Sequence, residues 1–327
     1  MKVYYSGTPT RRGKDVSKHL DFRYIQSNTT KGYNDRNIFI KIYFIIKSIY
    51  IEFQVLKKLH PTHIIYEHAG DFVPTLTILI FHLFNNFKLL IDCHTCVYVD
   101  TNYRFIKKIV NKKVIDLARI FIAHNEETLT LNNLHNNMLA LESKVPSIEK
   151  FENISEIDNN KINVVFITRF NSDEPILEMI KCTNFLENNY QFHMTGNYNK
   201  LFNISEIKKY KNINFTGFVS DEKYNSIIQN CDIHVVLTKR DFTLLYGGRE
   251  SISLEKPLVI SNNKPCKSFF DKGAIFVSND PNNIANGIKI ANKNKLSLSK
   301  QMKILKKEKN EIWKYKIRDL KRKIEVL

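Results

Sequence analysis

The sequence predicts an α/β chain in two doubly wound domains, and three observations carry that prediction. Short runs rich in Ile, Val and Phe alternate with helix-length segments, the pattern of parallel strands joined by crossover helices. The alternation runs twice, separated by the polar, aperiodic stretch "LESKVPSIEKFENISEIDNNKIN". At 327 residues the chain is long enough for two domains of about 150 residues, each able to bury a core. The boundaries read as a first domain over 1–142, a linker over 143–160, a second domain over 161–298 and a basic terminal helix over 299–327.

In the first domain, strands are predicted at Lys2–Tyr5, Phe22–Ile25, His63–Glu67, Phe87–Asp92 and Ile120–His124, each a short β-branched or aromatic run. The longer segments between them, Asn37–Leu59, Pro74–Asn85, Thr101–Leu117 and Glu126–Asn136, have helix length. In the second, strands at Ile162–Thr168, Gln191–Thr195, Asn212–Thr216, Ile233–Leu237, Leu258–Ser261 and Ile275–Val277 alternate with helices starting near Asp173, Ile204, Asp221, Gly248 and Asn282. Ser172-Asp173-Glu174-Pro175 supplies an N-cap, two acids and a helix-opening proline, and Ser220 caps another helix. In the terminal helix Met302, Leu305, Ile312, Ile317, Leu320 and Ile324 fall roughly on one side, so one face packs and the basic face is solvated.

Hydrophobic residues make up 43% and aromatics 12%, which excludes a disordered chain. Fifty Lys and Arg against 33 Asp and Glu give a net charge of +17, favouring nucleic acid, anionic lipid or phosphorylated small molecules as partners. Five cysteines without a disulfide-framework spacing suit a reducing cytosol. "CHTC" at Cys93–Cys96 is half a metal site with no second CxxC, so no metal is expected. The start "MKVYYSGTPTRR" lacks a signal-peptide apolar core, and Lys41, Lys47, Pro74 and His82 break the longest apolar runs; neither secretion nor a spanning helix is expected.

A doubly wound sheet places ligands outside its strand carboxyl ends, where helix N-termini also point. Arg169 follows the strand in "VVFITRFNSDEP", where a guanidinium fork meets a diphosphate; the alternative is a surface ion pair with Asp173 or Glu174. Gly196 permits close backbone approach at the next strand end, and the main chain at Phe218 and Val219 can hold a nucleobase edge. The polar loop "TKRDFTLLYGGRE" brings Lys239, Arg240, Asp241, Thr243, Gly247, Gly248, Arg249 and Glu250 together. A glycine pair ahead of a helix outlines an anion site, although such a pair also serves as an ordinary loop.

The ordered block "FITRFNSDEPILEMI…YQFHMTGNYNK…INFTGFVSDEKYNSIIQNCDIHVVLTKRDFTLLYGGRESISLEKPLVIS" resembles the donor-binding half of GT-B glycosyltransferases over about Ile162–Val277. These are enzymes of two Rossmann-like domains facing a central cleft that use nucleotide sugars. The retaining relatives it most resembles carry two glutamates eight residues apart, one on the donor sugar and one on the ribose, with a proline seven after the second. Glu250 with Pro257 matches the second, whereas the first position holds Phe242, and Asp241, one residue earlier, is the nearest candidate for the catalytic sugar contact. The resemblance implies a loop Thr243–Arg249 around sugar and diphosphate, backbone N–H groups from Gly247 and Gly248, balancing charge from Arg169 with Lys239 and Arg240 as reinforcements, and a solvent-exposed Glu255 where relatives have glycine. It also implies that the last helix returns to the first domain, with Trp313 a packing residue, and that no metal is needed beyond the nucleotide-sugar co-substrate, UDP- or GDP-linked.

"HPTHIIYEHAGDFVPTLTILIFHLFNNFKLLIDCHTCVYVD" resembles the acceptor domain of the same superfamily, less specifically, and leads to an Asp-x-His at Asp92 and His94. In retaining relatives a histidine here touches the donor sugar; in inverting ones a carboxylate or histidine takes the acceptor proton. The alternative is a strand-end histidine bonded to backbone. Glu67, His68 and Asp71 form the neighbouring loop, "NEET" either faces the site or caps a helix, and "SGTPTRRGK" stands for the family's glycine-rich loop. There Gly7 and Gly13 serve acceptor access, and Arg11, Arg12 and Lys14 meet an acceptor phosphate.

The expected function is sugar transfer to a lipid-linked or oligosaccharide acceptor in surface polysaccharide assembly, by a cytoplasmic protein peripheral on the inner face of the membrane. The stretch "IFIKIYFIIKSIYIEF" and the basic surplus suit an anionic membrane surface, while a buried core helix explains the same residues. Two further readings stand beside it. A basic nucleic-acid-binding protein needs aromatics and basic residues in one stripe, whereas here they are spread over many helices, so no nucleic-acid partner is expected. A catalytically degenerate GT-B relative draws on the unmatched first glutamate.

Overall fold

The computed structural model describes residues 1–27, 37–95, 97, 105–131, 135–149 and 157–327. The chain divides into two compact units, Met1–Ser143 with Trp313–Leu327, and Lys144–Ile312.

In the first unit β1 (Lys2–Ser6), β2 (Arg23–Gln26), β3 (His63–His68), β4 (Lys88–Cys93), β5 (Ile120–Ala123) and β6 (Met138–Ala140) pair in parallel in the order β2-β1-β3-β4-β5-β6. The helices are α1 (Arg11–Leu20), α2 (Ile38–Leu59), α3 (Phe72–Phe84) and α4 (Phe105–Leu117). Successive strand residues point to opposite faces, so "VYY" and "IIY" each feed two cores. Tyr5, Ile64, Tyr66 and Ile91 pack on Leu56 of α2, Ile78 and Phe81 of α3 and Val114 of α4. Tyr4, Ile65, Leu90 and Ile122 pack on Val16 and Leu20 of α1 and on Trp313, Ile317 and Leu320.

Three expectations need correction here. "SGTPTRRGK", read as a loop, turns helical at Arg11 because the Thr10 side chain accepts the Gly13 N–H at 2.9 Å and Val16 and Leu20 bury against the sheet. The helix expected over Glu126–Asn136 is, among the described residues, a 3₁₀ turn Glu126–Thr130; its cap Asn125 accepts the Thr128 N–H at 3.0 Å, so capping accounts for "NEET". Strand β6 was not expected. The start of the helix expected at Thr101, and Cys96, lie outside the described residues.

The second unit pairs β7 (Ile162–Phe166), β8 (Tyr190–Thr195), β9 (Ile213–Gly217), β10 (Ile233–Val236), β11 (Leu258–Ser261) and β12 (Ala274–Val277) in parallel, ordered β12-β11-β10-β7-β8-β9. Around them run α5 (Ile176–Cys182), a helical turn Ile204–Ile207, α6 (Asp221–Asn230), α7 (Tyr246–Leu254), α8 (Lys264–Phe269), α9 (Pro281–Lys293) and α10 (Lys295–Glu325). Met179 and Ile180 of α5 and Ile284 and Ile288 of α9 cover one sheet face. Ile252 of α7, Cys266 of α8 and Met302 and Leu305 of α10 cover the other. Helix α10 thus gives residues to both units, while Ile312, where they divide, is 43% exposed instead of packed.

Candidate active site

In each parallel sheet the strand order reverses at the unit's first strand, β1 or β7. In the second unit β7 lies between β8 and β10, so the loops after β7 and β10 flank the switch point where doubly wound sheets open a crevice. Arg169 leaves β7 with an exposed side chain that forms no ion pair among the described residues. Glu174 instead accepts the backbone N–H of Arg169 at 3.0 Å and of Asn171 at 2.9 Å, which wraps the loop and delays α5 to Ile176. Asp173 pairs with Arg240 at 3.5 Å, and its carbonyl accepts the Lys239 N–H at 2.6 Å, tying the two loops together. Asn263 donates to the carbonyls of Arg240 at 3.2 Å and Thr243 at 3.1 Å, so the second loop is hung from the start of α8. Within it Asp241 is exposed and Phe242 takes a left-handed φ of 58°.

Gly196 has φ +99°, and a Cβ there would lie 2.5 Å from the Thr168 carbonyl, so only glycine lets the ends of β7 and β8 close up. Phe218 is 79% exposed and Val219 half-buried in the turn between β9 and α6.

Helix α7 begins at Tyr246, so Gly247 and Gly248 form part of its first turn and do not precede it, as the sequence reading has it. The cap residue Leu245 offers no side-chain acceptor to that turn's N–H groups. A Cβ on Gly247 would approach Ile167 to 2.9 Å, and one on Gly248 would approach Phe270 to 2.5 Å. The pair therefore seats the helix N-terminus directly on the sheet. Arg249 turns inward, with its guanidinium 5.3 Å from the Phe269 ring and 5.9 Å from that of Tyr246. Glu250, 5% exposed, accepts the Tyr224 hydroxyl at 2.7 Å. Glu255 ends the helix with φ +58°, the left-handed geometry glycine favours; it is half-buried on Lys306 at 3.0 Å, where full exposure was expected.

In the first unit the switch point falls between β2 and β3, at β1. Asp92, at the end of β4, is fully buried: Arg12 grips it with Nε at 2.9 Å and Nη2 at 2.7 Å, Tyr4 donates at 2.7 Å and His124 Nε2 lies at 2.8 Å. Burial alone would raise the Asp92 carboxyl; Arg12 and His124 outweigh it and hold it well below the usual carboxylate range. Burial, then the charge of Arg12 and the neighbouring His94, push His124 down to about 3, so it is neutral. Arg12 was expected to meet an acceptor phosphate; its bidentate, buried grip on Asp92 corrects that, and Arg11 and Lys14 stay exposed. Asp92 correspondingly works as the anchor of this cluster and turns no oxygen to solvent.

Glu67 accepts Thr10 Oγ1 at 2.7 Å and meets His94 Nε2 at 3.0 Å. A carboxylate only accepts, so Nε2 of this half-exposed imidazole is the donor. His94 is thus held by a side chain, not by backbone. Its ring stands edge-on to His124 with centroids 4.5 Å apart. His68 is completely buried with neither ring nitrogen hydrogen-bonded among the described residues. Asp71 occupies the N-cap of α3 without capping it, and a Cβ on Gly7 would meet its carboxylate, so a larger residue there must turn the Asp71 side chain aside. Among the described residues no group of three or more His, Cys, Asp or Glu is arranged to hold a metal.

The group 1 glycosyl transferase family model matches residues 147–311, half of the sequence. The chain belongs to this family. No curated protein matches the glycosyltransferase in sequence. Among solved structures it is similar to sucrose-phosphate synthase from Thermosynechococcus elongatus at TM-score 0.75 and 12% identity, covering 99% of this chain and 95% of that one. It is also similar to Anabaena HepE in complex with UDP and glucose, at 0.71 and 10%, covering 99% and 98%. The lipopolysaccharide outer core galactosyltransferase WaaB matches at 0.62 and 12%, covering 99% and 100%. The fold of the glycosyltransferase is GT-B, two parallel-sheet α/β domains.

Sequence reasoning about this glycosyltransferase left Tyr224, Thr10 and His124 without a role. His124 ends a predicted strand, the one signal that could have found it; Tyr224 sits mid-helix among polar residues and carried none.

Proposed function

We propose that this glycosyltransferase moves a hexose, with retention, from a nucleoside diphosphate donor to a hydroxyl of a lipid-linked or oligosaccharide acceptor in surface polysaccharide assembly. The observation that carries the donor side is the β7/β10 switch point. It gathers exposed Arg169, the Lys239–Arg240 loop, the α7 N-terminus without a side-chain cap and, two residues after the glycine pair, Glu250. As the bond from the anomeric carbon to phosphate oxygen breaks, charge grows on the leaving diphosphate. Arg169, Arg240 and the α7 N–H groups meet that charge with no metal assigned a part. Glu250 accepts from the ribose, and the Phe218–Val219 main chain reads the base. On the face that the diphosphate leaves, the bond from the anomeric carbon to the acceptor oxygen forms, and the acceptor's proton passes to the departing phosphate oxygen. HepE, whose complex holds UDP and glucose, supports a uridine donor; WaaB, a lipopolysaccharide galactosyltransferase, supports a glycan acceptor.

A second reading, inversion, draws on the Glu67–His94 pair, in which a half-exposed imidazole oriented through Nε2 suits a general base for the acceptor hydroxyl. The anomeric configuration of the product by NMR decides between them.

The test is a thermal-shift screen against UDP, GDP, ADP, CMP and their sugar conjugates at fixed salt, since a ligand that binds only the folded state raises its melting temperature. A shift with one nucleoside diphosphate and its sugar is the expected result. No shift, with tight salt-sensitive oligonucleotide binding, would replace this reading with nucleic-acid binding. Nucleotide binding without turnover would mark a degenerate relative.

A further inference from the structure

We propose that the outer surface of α2, α3 and α4 is a docking face for an anionic lipid bilayer, with α2 lying along the interface. This deepens the lipid-linked-acceptor reading and rests on it for its purpose, while its observations are independent of the donor site.

Helix α2 is inside out. Its buried positions are Ser48, Glu52 and Leu56, one stripe at four-residue spacing. Glu52 accepts the hydroxyls of Tyr5 and Ser27 and that of Thr77 at 3.0 Å, so a satisfied carboxylate occupies the face that would ordinarily be apolar. Phe39 is 79% exposed, Tyr43 58%, Ile46 62% and Tyr50 63%. A helix built to face water places such residues inward, because their burial drives packing. The sequence alone left a buried core helix as the alternative; the exposure of Phe39, Tyr43, Ile46 and Tyr50 removes it.

The neighbours extend the patch. Phe53 of α2 meets Phe81 and Phe84 of α3 edge-on at 5.3 and 6.3 Å, and α3 ends in Leu83 and Phe84, 78% and 74% exposed. Helix α4, which packs on α3, begins with Phe105 and Ile106, 77% and 66% exposed. All three helices share one sheet face. Apolar surface of this continuity marks an interaction site.

Charge selects the partner. Lys41 and Lys47 punctuate α2, and Lys107, Lys108, Lys112 and Lys113 line α4. The acids of the three helices are buried Glu52 and exposed Asp116 alone. Aromatic and aliphatic residues among lysines, nearly free of carboxylates, suit headgroups that are anionic above an apolar layer. The 22 residues of α2 extend about 33 Å. Among the described residues no helix is long and apolar enough to cross a membrane, so α2 lies on the bilayer.

The experiment is co-sedimentation of the full chain with phosphatidylcholine vesicles, with and without about one third phosphatidylglycerol. Three proteins are compared: the native chain, Ile42→Glu/Ile46→Glu, and Lys107→Gln/Lys108→Gln/Lys112→Gln/Lys113→Gln. The native chain should bind anionic vesicles at least about tenfold tighter than neutral ones. The glutamate variant should lose at least about tenfold of that binding at unchanged melting temperature, and the glutamine variant should lose the anionic preference. Absence of binding, or equal binding to neutral vesicles, overturns the proposal. So does a native dimer in sedimentation velocity that the glutamate variant converts to monomer, which would make the face a contact between chains. Both variants keep the donor residues, so a nucleotide screen on them separates failure of the membrane face from failure of the donor reading.

Discussion

The hydroxyl of Tyr224, on α6, donates to Oε2 of Glu250, on α7, at 2.7 Å. A buried carboxylate fixed by a neighbouring helix is pre-oriented, so a ribose hydroxyl meets an acceptor that has no rotamer left to lose. Tyr224→Phe removes that restraint and keeps the ring; nucleoside diphosphate affinity should fall about three- to tenfold, roughly 1 kcal/mol. Glu250→Ala should cost more. Titration calorimetry of the two variants reads this, and native affinity in both rejects the ribose role.

Arg169 is exposed at the end of β7 and forms no ion pair among the described residues, while its loop is held by Glu174. If its guanidinium acts on the leaving diphosphate, Arg169→Ala lowers kcat by about a hundredfold with a smaller change in KM. A raised KM at native kcat would reduce Arg169 to uniform binding.

Gly248 packs against Phe270, and an added Cβ would lie 2.5 Å from its Cζ. Gly248→Ala should destabilise by about 1–3 kcal/mol through overpacking. Adding Phe270→Leu should recover part of it, a coupling that chemical denaturation of the four corners of the cycle measures. Strict additivity would mean that the helix shifts freely and the glycine is not needed for its seat.

Burial first, with positive or imidazole neighbours second, pushes His68 and His124 in the first unit down to about 3. Burial does the same to His234 in the second, to about 3, against an opposing backbone bond. Each folded value lies below the unfolded one near 6.5, so the unfolded chain takes up protons first as pH falls. Stability is complete above about 6.5 and declines toward 3. At pH 5.5 each histidine removes about 1.4 kcal/mol, roughly 3 for the first unit against half that for the second. Melting curves at pH 7.5, 6.5 and 5.5 should show the loss, and a flat profile would mean that these imidazoles reach solvent.

The two parallel sheets were readable because strand and helix periods are local, and a strand covered on both faces is an unbroken apolar run. Helix α1 escaped notice since Arg11, Arg12 and Lys14 mask its apolar positions, Val16 and Leu20. Its cap, Thr10 on Gly13, reads as a turn until the sheet gives those side chains a place to bury.

The sequence by itself determined that Arg169, the loop to Thr243 and Glu250 fall in one ordered block at strand ends, because a doubly wound sheet brings strand ends to one edge. Only the tertiary structure decided what Arg12, Asp92, His124, Glu67 and His94 do. Their contacts join residues as far apart as 80 positions, Arg12 to Asp92, and no local pattern encodes such a pairing. The same holds for α2, whose composition suits core and surface equally. Which side faces inward was settled by Tyr5, Ser27 and Thr77, whose hydroxyls converge on Glu52 and turn the apolar side out.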